Sequence, residues 1–126
     1  MTDIPPIDPS DRRVANWNDA PFEPFLDRKG NPDGEVLQVN GGKTGYGFHV
    51  YRMPPNTTTA AHEQLGDEEF LLSEGELTDH DGFEYKPGDI VWLRSGTVHN
   101  SSTKNGCLLA VYLPDARGLS SEADQD

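Results

Sequence analysis

The sequence predicts an all-β sandwich or barrel, and three observations carry that prediction. From Glu35 onward, short apolar runs alternate with Gly and Pro punctuation. No window of about 11 residues keeps a 3.6-residue apolar period, so no amphipathic helix is expected. The runs recur regularly enough to make about eight or nine short strands separated by turn signals.

In chain order, residues 1–15 are rich in Pro and Asp and read as an arm. Trp17, Phe22 and Phe25 follow among prolines, which suggests a segment lying on the domain surface or across a partner subunit rather than a helix. Residues 27–34 are dense in turn formers, and 35–40 are predicted as the first strand. Gly41-Gly42 is a turn. Residues 46–52 form a second strand, with Tyr46, Phe48 and Val50 on one face and His49 and Tyr51 on the other. Pro54-Pro55-Asn56 breaks it. Strands over 60–64 and 68–73 flank Leu65-Gly66-Asp67, and Glu74-Gly75 turns the chain. Residues 76–79 and 83–85 flank the turn His80-Asp81-Gly82. Lys86-Pro87-Gly88 leads into 89–93, then 98–102, the turn Asn105-Gly106, and a closing strand over 107–113. The resulting organisation is an arm over 1–34, one β domain over 35–114, and an acidic flexible tail over 115–126.

Composition bounds the function. The 126 residues fit one domain, with 33% hydrophobic residues and a mean hydropathy of -0.71 giving a moderate core. A net charge of -12 and the lack of a basic cluster argue against nucleic acid, whose binding depends on Lys and Arg. The opening residues form no secretory apolar region, and no apolar run approaches the roughly 20 residues that span a bilayer, so a cytoplasmic protein without a membrane partner is expected. The single cysteine, Cys107, excludes an internal disulfide framework and reads as a small buried strand residue. No Ser-His-Asp order, phosphate-cradling loop, CxxC knuckle or dinucleotide fingerprint is present.

One pattern carries chemistry: His62-x-Gln64-x3-Glu68-x6-Gly75, with His99 further on. If residues 62–72 run largely extended, His62, Gln64 and Glu68 point to one side together with Phe70 and Leu72. That face is polar at one end and apolar at the other, as expected for a metal in the mouth of an apolar barrel. Neutral imidazole suits divalent first-row metals, and Glu68 adds charge and a hard oxygen; two His and one carboxylate form the donor set of non-haem iron oxygenases. Gln64, a neutral carbonyl donor, either completes the shell as a weak and labile ligand or stands outside it with water in its place. Glu69 and His80 read as surface groups and His49 as a packing or subunit-contact residue, with a hydrogen bond to a metal ligand as the alternative. Tyr46, Phe48, Phe70, Leu72, Trp92 and Tyr112 are candidates for the core, with the lining of a pocket as the alternative.

The chain resembles the cupin superfamily over roughly residues 35–113. The first cupin motif, G-x5-H-x-H-x3–4-E-x6-G, corresponds to Asn56-x5-His62-x-Gln64-x3-Glu68-x6-Gly75. The second, G-x5-P-x-G-x2-H-x3-N, corresponds to Gly88-x5-Arg94-x-Gly96-x2-His99-x3-Thr103. Spacing is kept throughout; Asn56, Gln64, Arg94 and Thr103 depart from the pattern. The stretch 66–79 and the ending 105–113 are most similar to the ChrR-like branch. The resemblance implies a jelly-roll β-barrel and one divalent transition metal, Fe(II), Mn, Zn or Ni, held by His62, Gln64, Glu68 and His99. It implies either a metal-dependent enzyme, such as a dioxygenase cleaving a small metal-chelating substrate or a lyase, or a ligand- or metal-sensing module without catalysis, related to anti-sigma cupin domains. A metal-free barrel, with the four residues forming a polar cluster, is the third reading. A homodimer, paired through a barrel face or the N-terminal segment, is the expected assembly.

Overall fold

A computed structural model describes residues 3–27, 29–40 and 44–114. The turn expected at Gly41-Gly42 and the acidic tail over 115–126 lie outside the described residues. A 3-10 turn at Pro9–Asp11 is capped by the Asp8 side chain, and every other element of the described residues is a strand: β1 Glu23–Leu26, β2 Pro32–Leu37, β3 Gly47–Met53, β4 Thr57–Thr58, β5 His62–Glu63, β6 Glu68–Gly75, β7 Leu77–Asp79, β8 Glu84–Tyr85, β9 Ile90–Leu93, β10 Val98–His99, β11 Ser101–Thr103 and β12 Cys107–Leu113. Among the described residues no helix is long and apolar enough to cross a membrane.

A six-stranded sheet runs β1-β2-β3-β12-β6-β9, a four-stranded sheet runs β4-β11-β7-β8, and β10 pairs with β5. All pairs are antiparallel. The core joins the two larger sheets. Met53, Phe70, Leu72, Cys107, Leu109 and Val111 come from the first, and Leu77 and Tyr85 from the second. Leu72 is fully buried. Its register explains why: Leu72 and Phe70 lie opposite Leu109 and Val111, so apolar side chains alternate inward on both strands.

Turn chemistry fixes the strand ends. Gly75 has φ +86, and a Cβ there would collide with the Gly106 carbonyl oxygen, so β6 can meet the start of β12 only through glycine. Asn56 has φ 60 where the cupin pattern has glycine. Asn is among the few side chains that adopt this backbone readily, so the departure keeps the turn.

The structure adds to one expectation and corrects two. The Pro-rich aromatic segment contains a strand, β1, paired with β2 through Glu23↔Val36 and Pro24↔Glu35. Proline is tolerated there because β1 is a sheet edge. The strand expected over 35–40 spans Pro32–Leu37, because the Asp27 carboxylate accepts from the Lys29 and Asn31 backbone N–H groups, both at 2.9 Å, and closes the turn early. Finally, Phe48, Trp92 and Tyr112 are not core: they are 60%, 52% and 48% exposed, while His49 and Met53 on β3 are buried. The inward face of β3 is the mixed polar one because it lines a cavity.

Candidate metal centre

A cavity of about 1350 Å³ opens into the fold, and His62, Gln64, Glu68 and His99 all line it. Three structural elements bring them together. β5 and β10 pair with His62 directly opposite His99, so the two rings meet edge to face with centroids 4.7 Å apart. Gln64 follows β5, and its backbone N–H donates to the Thr97 carbonyl while its own carbonyl accepts from Gly96 N–H. Glu68 opens β6. The chain bends between Gln64 and Glu68, so residues 62–72 do not run continuously extended, the condition on which a shared side was expected. The hydrogen bonds to Gly96 and Thr97 hold Gln64 inward regardless.

The Gln64 amide nitrogen stands at the middle of the group. It lies 2.6 Å from Glu68 Oε1, 2.8 Å from His99 Nε2 and 3.4 Å from His62 Nε2. The reverse amide orientation would set its carbonyl oxygen against the Glu68 carboxylate, so the nitrogen faces inward on chemical grounds. On the far side of each ring, Nδ1 has its own partner. His62 Nδ1 donates to the Ala60 carbonyl at 2.9 Å, and His99 Nδ1 lies 3.3 Å from Asp79 Oδ1. Each Nε2 is thereby left as a lone pair facing inward. Two imidazole lone pairs and one carboxylate oxygen converge on an amide that has two hydrogens to give.

This surplus of acceptors bears on the fit of a cation. Among the described residues, no three His, Cys, Asp or Glu side chains are spaced as a metal cage as they stand. The spacing is set around the Gln64 nitrogen. The donor chemistry nevertheless suits a divalent transition metal, since all three converging atoms are lone-pair donors and Gln64 Oε1 becomes a fourth if the carboxamide turns over.

Electrostatics separate the groups. Burial pushes Glu68 above the usual carboxylate range, against the opposing pull of His99 and the Gln64 hydrogen bond. Much of the His62 surface is solvent-exposed, yet its ring is packed among enough protein atoms that desolvation lowers its pKa. Burial would depress His99 too, but the hydrogen bond and charge of Asp79, with Glu68, outweigh it and raise His99.

Sequence reading missed Asp79, and with it Ser101 and Tyr85. All three are buried, and Asp79 accepts from His99 Nδ1, from Ser101 Oγ and, at 2.6 Å, from Tyr85 OH. The available signal was alternation: Asp79 shares a face with buried Leu77 on β7. Glu69 and His80 are exposed, as expected, and Cys107 is buried with its thiol pushed up to about 11 by desolvation.

The ChrR cupin-like domain profile matches residues 10–116 of the chain. No curated protein matches it. Among solved structures it is similar to an acetylacetone dioxygenase from Acinetobacter johnsonii, with a TM-score of 0.63 and 14% identity over 89% of this chain and 80% of that one. It is also similar to a predicted oxalate decarboxylase from Thermotoga maritima, with a TM-score of 0.55 and 18% identity over 79% of this chain and 96% of that one. The Rhodobacter sphaeroides complex of SigE with the anti-sigma ChrR gives a TM-score of 0.49 and 18% identity over 60% of this chain, which spans only 41% of that chain. The likeness to the dioxygenase and the decarboxylase, at these identities, establishes the fold alone, the cupin jelly roll.

Proposed function

The chain belongs to the ChrR cupin-like domain family, and from that premise we propose that it is a metal-dependent cupin acting on a small, metal-chelating molecule. The observation that carries this reading is the convergence of His62 Nε2, His99 Nε2 and Glu68 Oε1 on one point of the cavity wall. His62, Glu68 and His99 would hold a divalent ion. Gln64 would either turn its carbonyl toward the ion or withdraw and leave a labile position. The bound ion would supply Lewis acidity and a place where a chelating substrate and O2 can meet. The residues of the chain do the rest. The two Nδ1 bonds fix the ring orientations, and buried Glu68 contributes the negative charge. Phe70, Leu109 and Val111 line the cavity beside the polar group and limit access of water. The likeness to an acetylacetone dioxygenase favours oxidative cleavage of a diketone-type substrate as the first reaction to assay.

Elemental analysis of the untagged protein, beside the His62→Ala/His99→Ala double variant, tests the reading. About one iron, manganese, nickel or zinc per chain is expected in the wild type and none in the variant. Oxygen uptake with a diketone then separates enzyme from sensor, since a sensing cupin would bind ligand without turnover. No metal after reconstitution with each ion would sink the catalytic reading and leave the second one, a metal-free binding barrel whose polar cluster is structural. The spacing of three acceptors around the Gln64 nitrogen is what favours that alternative. We propose a homodimer as the functional unit, which light scattering at micromolar concentration would refute by returning a monomer mass.

A further inference from the structure

We propose that Asp79 is a positioning residue that locks His99 in the tautomer whose Nε2 lone pair faces the cavity. The significance of this lock rests on the metal-holding role proposed above, while its geometry does not. Asp79 ends the three-residue strand β7 and is only 8% exposed. An ionised carboxylate accepts and never donates. All three groups around it are therefore donors: the Ser101 and Tyr85 hydroxyls and His99 Nδ1–H.

The two hydroxyls could rotate to suit another partner. The imidazole cannot, because a neutral ring has one N–H, and placing it on Nδ1 strips Nε2 of its hydrogen. The far side of the ring agrees. Gln64 Nε2, a donor, lies 2.8 Å from His99 Nε2, which therefore accepts. Two independent contacts, on opposite edges of one ring, specify the same tautomer. His62 reaches the same state through the Ala60 carbonyl. A backbone acceptor cannot be changed by side-chain substitution, whereas Asp79 can.

Asp79→Asn keeps the shape and lets the amide donate to Nδ1. The hydrogen then moves to Nε2, and His99 presents N–H to the cavity. Partners of this kind typically change metal affinity 10–100-fold when lost.

Two-bond nitrogen-15 correlation spectra of the metal-free protein, at a pH where His99 is neutral, read the tautomer directly. The wild type should show a protonated Nδ1 and an unprotonated Nε2, and Asp79→Asn the reverse. Zn2+ titration should then give about 10–100-fold weaker binding in Asp79→Asn and near-wild-type binding in Tyr85→Phe, which keeps the carboxylate and its bond to His99. A wild-type ring protonated on Nε2, or Asp79→Asn binding Zn2+ as tightly as wild type, overturns the proposal. If Asp79→Asn fails to fold, the wild-type spectrum alone decides. If wild type binds no metal, the proposed function fails while the spectrum still decides the role of Asp79.

Discussion

The rim and the floor of the cavity hold the same chemical group in different ways. At the rim, His62 sits on the two-residue strand β5 and leans on a backbone carbonyl. At the floor, His99 is buried against a carboxylate that is itself tied to Ser101 and Tyr85. The rim ring is depressed by desolvation; the floor ring is raised because Asp79 and Glu68 overcome desolvation. Two histidines that look equivalent as motif positions are thus a loosely supported donor and a structurally embedded one.

The largest effect expected from breaking this contrast comes at the floor. Asp79→Ala removes the shared acceptor of three buried donors, and denaturant unfolding should show a loss of about 3–5 kcal/mol. His62→Ala, which loses one bond to a backbone carbonyl, should cost about 1 kcal/mol. Equal losses in the two variants would erase the distinction between rim and floor.

The next effect is in pH dependence. A raised His99 pKa contributes stability that is fully present below the unfolded value of 6.5 and is lost as pH rises through the folded pKa. A lowered His62 pKa does the opposite: its contribution is present above 6.5 and is lost as pH falls through its folded pKa, and buried His49 has the same sign. In the metal-free protein, His99→Gln should therefore flatten stability above pH 6.5, and His62→Gln should flatten part of the fall below it. Melting temperatures across the pH range would show the reverse pattern if the two assignments were exchanged.

A gain-of-donor variant sharpens the comparison. Gln64→His replaces the central amide by an imidazole, the residue type the cupin pattern has at this position, and should tighten metal binding in a competition titration. Unchanged affinity would place position 64 outside the coordination shell. The smallest effect is expected outside the cavity. Phe48→Ser on the outer face of β3 should shift stability by about 0.5 kcal/mol or less, because Phe48 is already 60% exposed. A larger loss would mean that this face is covered in solution.

Much of this was legible in the sequence. Glycine and proline punctuation placed the turns, and β6 and β12 followed from their apolar runs. The two motifs named Gln64 and the three side chains that meet around its nitrogen. What was not legible has physical causes. β1 was hidden by Pro24, whose missing N–H matters little on an edge strand. The faces of β3 were inverted because an apolar stripe usually marks the inside, whereas here the inner face borders a polar cavity and Phe48 points outward. Asp79 was passed over because a carboxylate at the end of a short strand usually faces water. Only the tertiary meeting of β7 with β8, β10 and β11 supplies three donors to bury it.

Cys107 is the one thiol in the chain, and it sits where β12 crosses between β3 and β6, opposite Met53 on one side and Gly75 on the other. Buried and slow to ionise, it is shielded from electrophiles until that central strand parts from its neighbours. The fold thus contains its own clock. The rate at which a thiol reagent labels the native protein counts how often its centre opens, and the same count taken with and without a bound ion would report how far an event at the cavity wall is felt in the middle of the sheet.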